Sequence, residues 1–244
     1  MEVNSKAVQG NSSKINMVSM ISNQGHQTSI GPVTSQPQRN DFPNDLNDSP
    51  GLEYLKNRDR LFVKRKSNCC SYGREFFIKT KLKEDIYVGI EADNWCTLGC
   101  SSLEMKISDL RGNEVLQFTR FPECMTSYFE VKTPSGQMIA RVKEKLTWCS
   151  NEIIVTNHND ETILRLVQKS CNRRAPFKIL TMDGDQVGFI NRVKYSEDFC
   201  DATYAMEINF DTNLNIHMKA ALIAASLLLE IKQRRNNAAV VAIV

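Results

Sequence analysis

The chain lacks most of the residue patterns that mark an enzyme. Histidine is scarce, with three in 244 residues. His26, His158 and His217 lie far apart, and no signature pairs any of them with a serine or cysteine nucleophile. A phosphate-cradling glycine loop is also missing, because Gly184 and Gly188 fall where a hairpin is expected. Residues 1–29 have no apolar core long enough for a secretory signal. The chain is therefore expected to start in the cytosol, where thiols stay reduced. Its eight cysteines (69, 70, 96, 100, 124, 149, 171 and 200) are then expected to be free, acylated or metal-bound. Three residues, rather than two, separate Cys96 from Cys100, and no matching pair follows downstream, a poor spacing for zinc. Nor is there an apolar run of bilayer length. The stretch 220–229 passes ten residues without a charge, about 15 Å of helix. A span needs about 20 residues.

What remains is an ordinary globular composition, 41% hydrophobic and 24% charged, with a formal charge of +3. That charge permits attraction to anionic lipid without demanding it. Residues 1–48 read as a disordered tail, rich in Ser, Asn and Gln and without aliphatic runs. Its prolines offer no P-x-x-P match. The tail is a solvated segment or a ligand for protein partners.

From residue 103 a repeat emerges. Gly112, Gly136, Asp160 and Gly184 centre four turn-like tetrapeptides, at a spacing of 24 residues read from the sequence. Gly, Asn and Asp accept the positive φ of tight hairpin turns. Runs rich in β-branched and aromatic residues flank each turn, at 105–108 and 115–119, 129–132 and 138–142, 153–156 and 163–167, 177–181 and 187–193. Three earlier strands are expected at 61–66, 75–81 and 85–91, and a last one at 204–210. A meander of twelve strands must close on itself or leave an exposed edge.

The final element differs in kind. Residues 218–229 are Ala- and Leu-rich, favouring a helix, with Thr212 or Asn213 available to cap its start. A helix apolar on every side is buried or in lipid. At this length the expectation is a helix inside the barrel, ending in the basic run Lys232-Gln233-Arg234-Arg235. The sequence thus divides into a tail, a domain over 49–235 with its helix at about 213–232, and a short apolar tail at 236–244.

Two stretches carry a resemblance. Ser49-Pro50-Gly51-Leu52-Glu53-Tyr54-Leu55 resembles the entry to the phospholipid scramblase domain. Phe199-Cys200-Asp201-Ala202, continuing into residues 213–221, resembles that family's closing strand and helix. The resemblance implies an all-β fold, a twelve-stranded antiparallel barrel closed around a C-terminal hydrophobic helix, as in tubby-like proteins. It implies membrane phospholipids as partners and residence on the cytoplasmic face of the plasma membrane. It also implies calcium-dependent, ATP-independent movement of phospholipids between leaflets. The other reading is a membrane-surface module for lipid or protein that has lost the calcium trigger. Neither reading makes the chain a catalyst of covalent chemistry. Nucleic acid is not an expected partner, since residues 188–195 hold only two cations where the family's basic import segment would fall.

The family's calcium segment, Asp-Ala-Asp-Asn-Phe-Gly followed by Asp-Leu-Asp-Val, places the metal candidates at Asp201, Asn213 and Asn215. Here Thr203, Asn213 and Asn215 stand where carboxylates are expected. Calcium affinity depends on ligand charge, so binding is expected to be weak or lost unless Asp198, Glu207 or Asp211 substitutes. Asp201 otherwise caps a turn. The family's acylated cysteine cluster is reduced here to Cys124, and Cys69-Cys70 beside Lys64-Arg65-Lys66 offers the second signal that stable anchoring needs. The alternative for each of these thiols is a small buried hydrophobe.

Overall fold

The structure is a computed structural model, and it describes residues 50–68, 71–92, 102–122, 126–145, 150–169, 175–195 and 203–241. A 3-10 helix, Leu52–Leu55, leads into twelve strands. These are β1 (Arg60–Asn68), β2 (Ser71–Thr80), β3 (Asp85–Glu91), β4 (Leu103–Asp109), β5 (Glu114–Pro122) and β6 (Ser127–Lys132). There follow β7 (Met138–Lys145), β8 (Ser150–Thr156), β9 (Thr162–Lys169), β10 (Phe177–Leu180), β11 (Gln186–Tyr195) and β12 (Thr203–Phe210). Helix α1 (Ile216–Val241) closes the sequence of elements. Each strand pairs antiparallel with its chain neighbours, and β1 pairs with β12, Arg60 opposite Asn209, so the barrel is closed. Every expected strand is present, most of them a residue or more longer than read from sequence.

Five hairpins share one turn. The N–H groups of Thr80, Asp109, Thr133, Asn157 and Thr181 each donate to the carbonyl four residues on, at 2.8 to 2.9 Å. Lys83, Gly112, Gly136, Asp160 and Gly184 then take positive φ, between 62° and 91°. The first residue of each turn also accepts a backbone N–H on its own side chain, as Asp109 does from Arg111 and Asn113. A register shift of one residue precedes every turn. The residues passed over are β-branched and buried: Ile86, Val115, Ile139, Ile163 and Val187. These bulges bend the strands and tighten their twist, which helps a sheet close. The turn at 80–84 was not among the four read from sequence.

Side chains alternate inward along the strands, as Leu116 and Phe118, Ala140 and Val142, and Leu164 and Leu166 do. They pack against α1, whose residues Met218–Leu229 are at most 2% exposed. Leu222, Ala225 and Leu229, expected in the core, are at 0%, 0% and 2%. The helix starts three residues later than expected and continues to Val241, through most of the stretch read as a separate apolar tail. Its start is capped by neither Thr212 nor Asn213. Asn215 holds that position: its Oδ1 accepts the N–H of His217 at 2.8 Å, and its carbonyl accepts from Lys219.

Candidate functional site

The barrel has two unlike ends. The five tight turns, the start of β1 and the entry to α1 share one end. Here the 3-10 helix acts as a plug, with Leu52 and Leu55 fully buried. Gly51 precedes it at φ 90°, where a Cβ would stand 2.5 Å from Cγ2 of Val115. The Gly51 carbonyl accepts from the hydroxyl of Tyr87 at 2.5 Å, and Tyr54 packs edge-on against the Tyr87 ring. Burial pushes the Tyr87 phenol far above its usual range. The Pro-Gly-Leu-Glu-Tyr-Leu entry is therefore a stopper cut to fit this end.

Lys219 locks the stopper in place. This lysine is 1% exposed, and its Nζ donates to the carbonyls of Leu55 (3.2 Å), Arg58 (2.9 Å) and Thr212 (2.7 Å). Its ammonium also lies over the ring of Phe210. Burial pulls it down to about 8, and the carboxylates of Asp211 and Asp59 oppose that pull. One fixed cation thus gathers the entry segment and the turn between β12 and α1.

Two of the metal candidates sit on that same turn. Asn213 is exposed, and its backbone N–H goes to Oδ1 of Asp211 at 2.9 Å. Asn215 uses its side-chain oxygen as the helix cap. The third candidate, Asp201, lies outside the described residues, as do Asp198 and the lipidation candidates Cys124, Cys69 and Cys70. No group of three metal-binding side chains occurs among the described residues. His217 is buried at the helix start and His158 lies in the turn of the β8–β9 hairpin.

At the other end α1 leaves the barrel, and the inward positions change from apolar to charged. On β1 the series Leu61, Val63 ends in Arg65, whose guanidinium lies over Phe76 and pairs with Glu91 and with Glu230 of α1. On β7 the series Ala140, Val142 ends in Glu144, which faces Lys232 of α1 at 3.7 Å. Burial raises the Glu144 carboxyl, against the pull of Lys232. Lys232 reaches Asn151 as well, and Asn151 donates to Gln168. On β5 the series Leu116, Phe118 ends in Arg120. Arg192, on the same face as Ile190, lies over the ring of Tyr204 with 3.9 Å to its centroid. This polar collar escaped the sequence reading. Its signal was available, since extending each strand's alternation two residues outward lands on it.

The Scramblase family model matches residues 40–233, which takes in the plug, all twelve strands and the buried part of α1. Phospholipid scramblase 1 of Mus musculus is 26% identical over 219 residues, covering 77% of this chain and 65% of that protein. Phospholipid scramblase 2 of Bos taurus is 27% identical over 211 residues, covering 76% of this chain and 71% of the relative. Phospholipid scramblase family member 5 of Homo sapiens is 25% identical over 208 residues, covering 74% and 76%. The chain thus spans just under two thirds of the mouse protein's length. With its stopper, its closed meander and the buried part of its threaded helix inside the matched range, this chain belongs to the scramblase family.

Proposed function

We propose that this protein moves phospholipids between bilayer leaflets without ATP, from the cytoplasmic face of the plasma membrane, and that calcium has little hold on it. The observation that carries the reading is the family match, which runs through the whole barrel rather than one motif. The low calcium response rests on the turn at 211–215. It offers Asn213 and Asn215 where carboxylates would raise affinity, Asn215 already serves α1, and the Lys219 ammonium bonds the carbonyl of Thr212 beside them. Any calcium held at Asp201, Asn213 and Asn215 would meet that positive charge. Membrane attachment is assigned to acylation of Cys124, Cys69 and Cys70. No helix among the described residues is long and apolar enough to cross a membrane. Protein partners are assigned to the N-terminal tail.

A second reading has its own support. The space inside the barrel is filled by α1, so the described strands enclose no lipid-sized path. A barrel of this kind serves as a lipid-surface module that has kept the fold and lost transport. The deciding experiment is exchange of a labelled phospholipid in proteoliposomes, with and without calcium. Exchange above protein-free vesicles that scarcely changes with calcium supports the first reading. Binding to vesicles without exchange supports the second.

A further inference from the structure

The tight turns make demands on residue type at their first position, which supplies a side-chain acceptor, and at their fourth, which takes positive φ. The second and third positions are unconstrained, and they hold pairs as different as Pro134-Ser135 and His158-Asn159. Leu82 and Leu110 occupy such positions and are 69% and 64% exposed. The turn geometry gives no reason for leucine at either place.

Single exposed leucines are ordinary, but these are grouped. Among the described residues six large apolar side chains are exposed, and Tyr54, Leu82, Leu110 and Met182 all stand at the end closed by the plug. The plug leans toward the two leucine turns. Tyr54 packs edge-on against Tyr87 of β3, which pairs with Ile78 of β2 and with Asp109 of β4, the residue before Leu110. Those turns are neighbours on the rim, two strand spacings apart, which sets their tips about 10 Å from one another. Tyr54, Leu82 and Leu110 therefore share one side of this end.

Charge divides the rim the same way. Residues 53–59, 81–84 and 110–112 carry five cations, Lys56, Arg58, Lys81, Lys83 and Arg111, against the carboxylates Glu53, Asp59 and Glu84. Residues 134–136, 158–161 and 182–185 carry Asp160, Glu161, Asp183 and Asp185, and no lysine or arginine. The leucine half is basic and exposed, and the other half is acidic.

We propose that the basic, leucine-tipped half of this rim docks an acidic amphipathic helix of a partner protein. Apolar residues at i, i+4 and i+7 of such a helix span about 10.5 Å, matching the separation of the two tips. Its flanking carboxylates would face Lys56, Lys81 and Arg111. An anionic bilayer is the poorer fit, because a flat surface over this end would also meet the four carboxylates of the other half. A single helix covers the basic half alone. The inference is independent of the lipid reading above.

The probe is a fluorescein-labelled helical peptide with leucines at i, i+4 and i+7 and glutamates between, added to the full chain. A second peptide carries lysine in place of every glutamate. Fluorescence anisotropy should show binding of the acidic peptide, weakened by salt, and none of the basic one. Leu82→Ser with Leu110→Ser should weaken that binding at least about tenfold, the scale of covering one exposed leucine. Lys56→Glu with Arg111→Glu should weaken it by a similar factor. Met182→Ser, on the acidic half, should leave it unchanged, and a loss there overturns the choice of half. These side chains are exposed, so each variant should keep a native circular dichroism spectrum, and the two pairs test the site separately. No binding of the acidic peptide, equal binding of the basic one, or binding indifferent to both pairs overturns the proposal. Sedimentation with vesicles of phosphatidylcholine and phosphatidylserine that the leucine pair abolishes also overturns it, by giving the patch to a bilayer.

Discussion

The ammonium of Lys219 donates to the carbonyl of Leu55 at 3.2 Å, joining residues 164 positions apart. With its bonds to Arg58 and Thr212, it makes one side chain the clasp between the chain's entry and its final helix. Replacing it by methionine keeps the bulk and removes the donor. Three carbonyls lose their partner, at about 1–3 kcal/mol for each left buried. Lys219→Met is expected to cost about 3 kcal/mol in urea unfolding.

The same group gives a pH dependence. Folded, Lys219 titrates at about 8, because burial disfavours its charge, while its ordinary value is 10.5. Between those values the unfolded chain holds the proton and the folded chain has released it. Stability from this group therefore rises with pH across the window from about 8 to 10.5, and that gain is absent below it. The stability gap between the native chain and Lys219→Met should widen over that range, read by thermal unfolding in a pH series. A constant gap would contradict the assignment.

Asn215 separates capping from metal binding. Asn215→Ala should lower stability by about 1 kcal/mol, the usual loss of an N-cap, with or without calcium. Asn215→Asp keeps the cap. Combined with Thr203→Asp and Asn213→Asp, it should raise calcium affinity, because ligand charge controls that affinity. Asp201→Ala in the unmodified chain should change little. Titration calorimetry reads all three. Tight binding by the native chain, abolished by Asp201→Ala, would show a working site.

Ala225 lies fully buried midway along the enclosed part of α1. Ala225→Arg forces a long cation into a filled interior, a cost of several kcal/mol against a typical total stability of about 5–15 kcal/mol. The variant should accumulate as insoluble protein. A soluble Ala225→Arg chain with a native circular dichroism spectrum would refute the packing described.

Gly51 and Gly112 take nearly the same φ, 90° and 86°, in different surroundings. A Cβ at Gly112 meets nothing within 4 Å, so Gly112→Ala should cost only the left-handed strain, about 1 kcal/mol. At Gly51 the Cβ runs into Val115, and the shift also disturbs the carbonyl that Tyr87 holds. Gly51→Ala should be the more damaging change by at least about 1 kcal/mol, measured by denaturant midpoints.

The turn repeat was legible because Gly112, Gly136, Asp160 and Gly184 are local requirements written in residue type. The turn at 80–84 escaped because Lys83 stands where the others have Gly or Asp, and because it falls outside the 24-residue spacing. The bulges escaped for a related reason. Pairs such as Val115-Leu116 and Ile139-Ala140 put two buried residues in succession, which reads from sequence as a broken alternation. The cap was misplaced since Thr212, Asn213 and Asn215 are all good caps, and the choice among them is made by where Lys219 and Asp211 pin the turn. The lysine's role was hidden altogether. Its three acceptors are backbone atoms, which carry no residue signature.

Because β1 pairs with β12 and α1 follows both, order of synthesis matters. The first strand's partner and the rod that fills the interior emerge only after ten other strands have left the ribosome. Until then β1 is an unpaired edge and the inward face of the growing sheet is uncovered, both invitations to aggregation. A nascent chain that stalls before residue 216 holds eleven hairpin pairings and no centre, so chaperone occupancy should persist until the helix is made.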